Sequence, residues 1–187
     1  MRLKQARIAP LQDSDFSDEQ KEVLKPMAGW GPVLNIFRTL VRAPRAFKRF
    51  NFWAGYILSD RNDLSPRDRE LIILRVGYLC SSGYEWAQHE VIGRDCGLTD
   101  VEIQRIKEGP TSKLWGELDR AYLNAADELV RDHFIGDDTW AALSSLTDKQ
   151  KMDVVFTVGQ YTQVSMILNS FGVQLDEGLK LDPDLQR

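Results

Sequence analysis

Four residues near the middle of the chain have the types and spacing for proton chemistry: Glu70, Ser82, Glu85 and His89. Glu85 and His89 stand four apart in the stretch 80-CSSGYEWAQH-89. On a helix that spacing puts both side chains on one face, within hydrogen-bonding reach. A carboxylate one turn ahead of a histidine can fix its tautomer and raise its basicity. Ser82 and Glu85 also fall in the first turn of such a helix, where the partial positive charge of the helix end favours an anion. Glu70 lies between Arg69 and Leu71 in 66-PRDRELIILRVGYLC-80, a run apolar nearly all round. A carboxylate there lies on a wet edge or is paired, and buried without a cation its pKa would rise, as suits a proton-transfer group. The same residues have a plainer account. Ser82-Gly-Tyr-Glu85 fits a capping box, and Glu–His at i,i+4 is a common surface pair. A metal site of Glu70, Glu85 and His89 would lack the paired histidines of a zinc-protease helix, so no metal is expected.

The elements that must position these residues are helices. Capping boxes are written at Ser17–Gln20, Ser82–Glu85, Thr99–Glu102 and Thr147–Gln150. Ser65-Pro66 adds a further start, with proline at the first helical position. Gly83, Gly97 and Gly109-Pro110 read as the matching stops. No hairpin dipeptide separates alternating runs, so the chain reads as all-α with about eight helices. The β-branched stretch 154-VVFTV-158 follows the Thr147 cap and is read as helix. Leu34 to Leu58 reads as two apolar helices split by Pro44, whose aromatic residues serve core packing or line a ligand pocket. Residues 1–16 read as an arm packed on a neighbour or left mobile. Residues 17–178 form one domain, and 179–187 belong to a polar, frayed tail.

The composition bounds the function. The chain has 187 residues, 43% hydrophobic and 28% charged, with a net charge of -4. Its Lys and Arg are interleaved with Asp and Glu, which argues against a nucleic-acid binder. The uncharged segment 154–175 holds too many amide and hydroxyl side chains to face lipid, so no membrane span is expected. With no targeting segment evident, the expected location is cytoplasmic. Cys80 and Cys96 form neither a disulfide framework nor a zinc pattern and read as partly buried thiols. His133 reads as a helix-end histidine, and Trp30, Trp115 and Trp140 as packing anchors.

The order Glu70, eleven residues, Ser82, two residues, Glu85, three residues, His89 resembles the signature of the carboxymuconolactone decarboxylase and AhpD-like alkylhydroperoxidase family. The peroxidase branch carries Cys-x-x-Cys at the positions held here by Ser82 and Glu85; the decarboxylase branch lacks that pair and shows Glu-x-x-x-His. Residues 97–109, 120–143 and 155–175 are similar to later helices of longer family members, so the resemblance covers about three-quarters of the chain. It implies an AhpD-like helical fold and a homo-oligomer, a trimer or hexamer, with a dimer also open. It further implies cofactor-free acid/base chemistry on a small organic acid: decarboxylation, lactone chemistry or isomerisation. In that reading His89 is the general acid/base, Glu85 orients it, Glu70 holds a water or shares a proton, and Ser82 gives a hydrogen bond. Tyr84, Trp86 and Tyr161 would line the pocket. Arg75, with Arg69 and Arg94 as further candidates, would meet a substrate carboxylate, unless these arginines neutralise Glu70 or bridge subunits. Without the cysteine pair, which supplies attacking and resolving thiols, peroxidase or disulfide-reductase activity is not expected. A non-catalytic member whose helices serve assembly is the remaining alternative.

Overall fold

A computed structural model describes residues 2–27, 29 and 31–186; Trp30, read above as a packing anchor, lies outside them. The described residues hold nine α-helices, four short 3-10 turns and no strand, against the expected eight or so helices. The helices are α1 (Asp18–Leu24), α2 (Asn35–Leu40), α3 (Pro44–Ile57), α4 (Pro66–Leu79), α5 (Gly83–Asp95), α6 (Asp100–Ile106), α7 (Glu117–Asp132), α8 (Asp137–Ala142) and α9 (Asp148–Phe171).

Helix α4 is the axis of the molecule. Residues 69 to 77 are all buried, and the helix packs against α5, α7 and α9. Its near-continuous apolar run meets neighbours on every side, so it shows almost no amphipathic stripe. Leu71, Ile72, Ile73, Leu74 and Val76 join Leu123, Ala126, Val154 and Val158 in one core. Two glycines set the approach of α5 to α4. A Cβ at Gly93 would sit 3.3 Å from Leu74 and 3.1 Å from Leu98, and one at Gly77 would rest on the Glu85 side chain at 3.5 Å.

Three of the four capping boxes form: the hydroxyls of Ser17, Thr99 and Thr147 accept the N3 amide, and the N3 side chain reaches back. Ser65 accepts from Asp68 N as expected. The box at Ser82 does not form. The stop before it is also not Gly83, which is already the first residue of α5. Ser81 instead takes the left-handed conformation (φ 51°), and Ser82 N donates back to Gly77 O at 2.8 Å. That closure is usually given to glycine.

Both chain ends are tied down rather than loose. Arg7 N and Ile8 N donate to Phe171 O, and Arg38 Nη1 donates to Leu11 O at 3.0 Å, so the arm packs on its own chain. In the tail Lys107 Nζ meets Asp182 and Asp184 at 2.7 and 2.8 Å, and Leu185 is buried. Trp115 is a buried anchor whose indole donates to Gly109 O, whereas Trp140 is half exposed beneath Lys151. Among the described residues no helix is long and apolar enough to cross a membrane.

Candidate functional site

The α4–α5 hairpin brings Glu70, Glu85 and His89 into one buried cluster. His89 Nδ1 lies 2.6 Å from Glu70 Oε2, and Nε2 lies 3.0 Å from Glu85 Oε1. All three side chains are more than nine-tenths buried. Burial alone would depress the imidazolium, but the two carboxylates outweigh it and push the His89 pKa up to about 10. At neutral pH both ring nitrogens therefore carry protons, Nδ1–H donating to Glu70 and Nε2–H to Glu85. This also explains the missing cap. The Glu85 side chain is engaged with His89 and cannot reach back to its helix start, and the Ser82 hydroxyl is left buried without a hydrogen-bond partner.

In front of the imidazole opens a cavity of about 230 Å³, lined from α2, α3, α5 and α9. Glu85, His89, Gln88 and Gln160 give it polar groups; Ile36, Phe37, Phe50, Ile92 and Val164 are among its apolar walls. The Tyr161 ring stands edge-on to His89, centroids 4.9 Å apart. Its hydroxyl is held well above the usual phenol range by burial, with the Glu85 and Glu70 charges acting in the same direction. Glu70 lies on the other side of the imidazole, 1% exposed, and is not part of the cavity wall.

The sequence-derived residues thus separate into two groups. Glu85, His89, Tyr84 and Tyr161 line the cavity, with Glu70 immediately behind. Ser82 is fully buried and does not reach the cavity. Trp86 faces the opposite side of α5, buried against Tyr78 and Lys107, so it is a core residue rather than a wall of the pocket. Arg75 is likewise not a substrate contact. It points to α7, where it pairs with Asp127 (2.5 and 2.8 Å) and donates to the carbonyls of Ile106 and Lys107. Arg94 is taken up by Glu90 and Asp100 on the surface. Arg69 donates to Ser59 O, and no lysine or arginine lines the cavity among the described residues.

Among the cavity residues that type and spacing did not single out are Phe37, Phe50, Gln88 and Gln160. The phenylalanines were open to either a core or a pocket role, and the structure divides that aromatic segment. Phe47 is core, Phe37 and Phe50 reach the cavity, and Phe52 is exposed. Nothing in the sequence distinguishes Gln160 from the other amides of α9.

The two thiols, Cys80 and Cys96, are free and partly buried, and burial pushes both pKa values up. Neither is poised as a thiolate nucleophile.

Comparison with known proteins agrees with this architecture. Among curated proteins none matches the chain. An AhpD-core structure, an uncharacterized peroxidase-related protein from Ralstonia eutropha, superposes with a TM-score of 0.76 at 19% identity, covering 91% of this chain and 93% of that one. The debrominase Bmp8 in complex with 2,3,4-tribromopyrrole gives 0.72 at 16% identity over 93% and 94%. A protein of unknown function from Agrobacterium tumefaciens, described as a putative antioxidant defence protein AhpD, gives 0.66 at 21% identity over 73% and 94%. At these identities the likeness is one of fold. Residues 44–128, which contain Glu70, Glu85 and His89, match the model of the Carboxymuconolactone decarboxylase family, so the resemblance to that family and to the AhpD-like fold holds in both sequence and structure.

Proposed function

We propose that the protein is a cofactor-free acid–base catalyst acting on a small organic molecule, with His89 as the proton donor. The observation that carries this reading is the imidazole clamped between two carboxylates at the wall of an apolar cavity. An imidazolium held there is charged at neutral pH and largely shielded from water, so its proton is available to a bound molecule. Glu85 and Glu70 then exchange the roles their spacing suggested. Glu70, behind the ring, fixes Nδ1 and sustains the charge; Glu85, on the cavity side, holds the Nε2 proton and can receive one from substrate carbon. In a decarboxylation or isomerisation the developing enolate would be protonated by His89 while Tyr161 packs against the imidazolium. Ser82 has no part in this chemistry.

A debrominase of this fold is in complex with 2,3,4-tribromopyrrole, which accords with a small ring occupying the cavity here. The homo-oligomer implied by the family would use the uncharged outer face of α9, where Met152, Val155, Gly159, Gln163 and Met166 form one exposed stripe. Trp53 of α3 lies beside it, edge-on to Phe156.

The test is proton transfer itself. The protein is incubated in D2O with a panel of small lactones, β-keto acids and cyclic ketones, and deuterium uptake and product formation are followed by NMR. Exchange or turnover of at least one compound is expected, falling 100-fold or more in His89→Gln and Glu85→Gln. Unchanged rates in both variants would refute the assignment, as would a wild-type protein inert to the whole panel.

A further inference from the structure

The cavity offers a bound molecule very few polar groups that are not already engaged. Tyr84 donates its hydroxyl to Asp176, and Gln88 Nε2 donates to the same carboxylate at 2.7 Å. Glu85 and His89 face each other. Gln160, projecting from α9, is different: it is 4% exposed, it lines the cavity, and neither its Oε1 nor its Nε2 has a hydrogen-bond partner. A buried amide left unsatisfied is destabilising, and native proteins retain few of them without reason. Gln160 directly precedes Tyr161, whose ring touches His89, so a molecule held by the amide lies beside the acid.

The charge of the site narrows what that molecule is. Its wall has a carboxylate, Glu85, and no cation other than the already paired imidazolium. Arg69, whose charge acts on Tyr161, is buried on α4, donates from Nη1 to Ser59 O and does not line the cavity. A carboxylate group entering here would lose its hydration and meet Glu85 without a lysine or arginine on the wall to offset it. A glutamine amide can both donate and accept, which suits a neutral carbonyl, hydroxyl or ring N–H equally well.

We infer that Gln160 anchors the substrate and that the substrate is an uncharged, largely apolar small molecule bearing a carbonyl or a similar neutral hydrogen-bonding group. This rests on the acid–base reading above and narrows it to lactone or isomerisation chemistry, setting decarboxylation aside: of the carboxylate and lactone substrates expected from the sequence, the site admits the lactone and rejects the carboxylate.

The experiment compares three probes of one shape on the full chain: phthalide, a neutral lactone; 2-(hydroxymethyl)benzoate, its ring-opened carboxylate; and indane, which lacks the carbonyl. Binding is measured by saturation-transfer NMR and calorimetry. Phthalide should bind, indane about tenfold more weakly, as one hydrogen bond of about 1.4 kcal/mol requires, and the carboxylate not detectably. In Gln160→Met, nearly equal in volume, phthalide should fall to the affinity of indane while indane is unchanged, which also shows that the variant is folded. Equal binding of the carboxylate, unaltered phthalide binding in Gln160→Met, or no binding of phthalide to the wild type would each overturn the inference. Because these measurements need no turnover, they are separable from the His89 test. His89→Gln should abolish proton transfer and leave the indane-to-phthalide ratio in place.

Discussion

Replacing Glu70 by glutamine keeps the shape of the side chain behind the imidazole and removes its charge. Two unit charges about 4 Å apart, at the effective dielectric that reproduces protein measurements, are worth about 4 kcal/mol. That corresponds to about three pKa units. Glu70 makes the shorter contact, 2.6 Å against 3.0 Å for Glu85. Its loss should therefore lower the His89 pKa from about 10 toward the ordinary imidazole range. The measurement is simple because the chain has only two histidines. The ring Cε1 proton of His89 is followed by NMR against pH, with His133 assigned by His133→Gln. In the wild type the His89 resonance should hold its protonated position from pH 5 to beyond 8; in Glu70→Gln it should shift through neutrality. Stability should follow. Because folding raises this pKa from 6.5 to about 10, the protonated ring stabilises the fold fully below pH 6.5. That contribution is lost as pH climbs through 10, so the wild-type Tm should fall over this interval and that of Glu70→Gln should fall less. A wild-type His89 that titrates at an ordinary imidazole value, or a Glu70→Gln variant that leaves it high, would refute the electrostatic account of the site.

Two further substitutions test the scaffold. Ser81→Gly relaxes a left-handed residue at the α4–α5 junction and should stabilise by about 1 kcal/mol, raising Tm by about 2–4 °C in a calorimetric scan; a lower Tm would show that the Ser81 side chain contributes more than its backbone strain removes. Arg75→Leu leaves the buried Asp127 and two helix-end carbonyls without their main partner and should cost about 3–5 kcal/mol in urea unfolding. The His89 titration should be untouched, and a loss below about 1 kcal/mol would contradict the burial of that pair.

How far the sequence revealed the site can be judged from single residues. Local signals were legible where one helix supplies both partners. Ser17, Thr99 and Thr147 cap as their motifs require, and Glu85 meets His89 at the spacing that a helix dictates. Ser82 failed on both halves of its box: Glu85 had a stronger partner in the imidazolium, and the Ser82 backbone (ψ 88°) lacks the extended conformation (ψ 157–166°) of the three caps that form. Helical spacing gives a side chain's direction but not the neighbour it meets. Trp86 and Arg75 were therefore placed in a pocket when they face Lys107 and Asp127. Gln160 was invisible for a related reason. On a helix uncharged through its middle, only the packing of α2 and α3 decides which amide is enclosed with the His89 imidazole.

Asp176 accepts hydrogen bonds from Tyr84 and Gln88 of α5 and from the backbone N–H of Asn35 at the start of α2. The residues it joins lie 88 to 141 positions away along the chain. Such long closures carry the largest loop-entropy cost and come late in folding. During synthesis the α4–α5 hairpin, with Glu70, Glu85 and His89, is complete long before Asp176 has been made. The enclosure around His89 is thus a long-range construction: the α4–α5 hairpin supplies the cluster from neighbouring stretches of chain, while Asp176 ties that hairpin to the start of α2 across the whole fold.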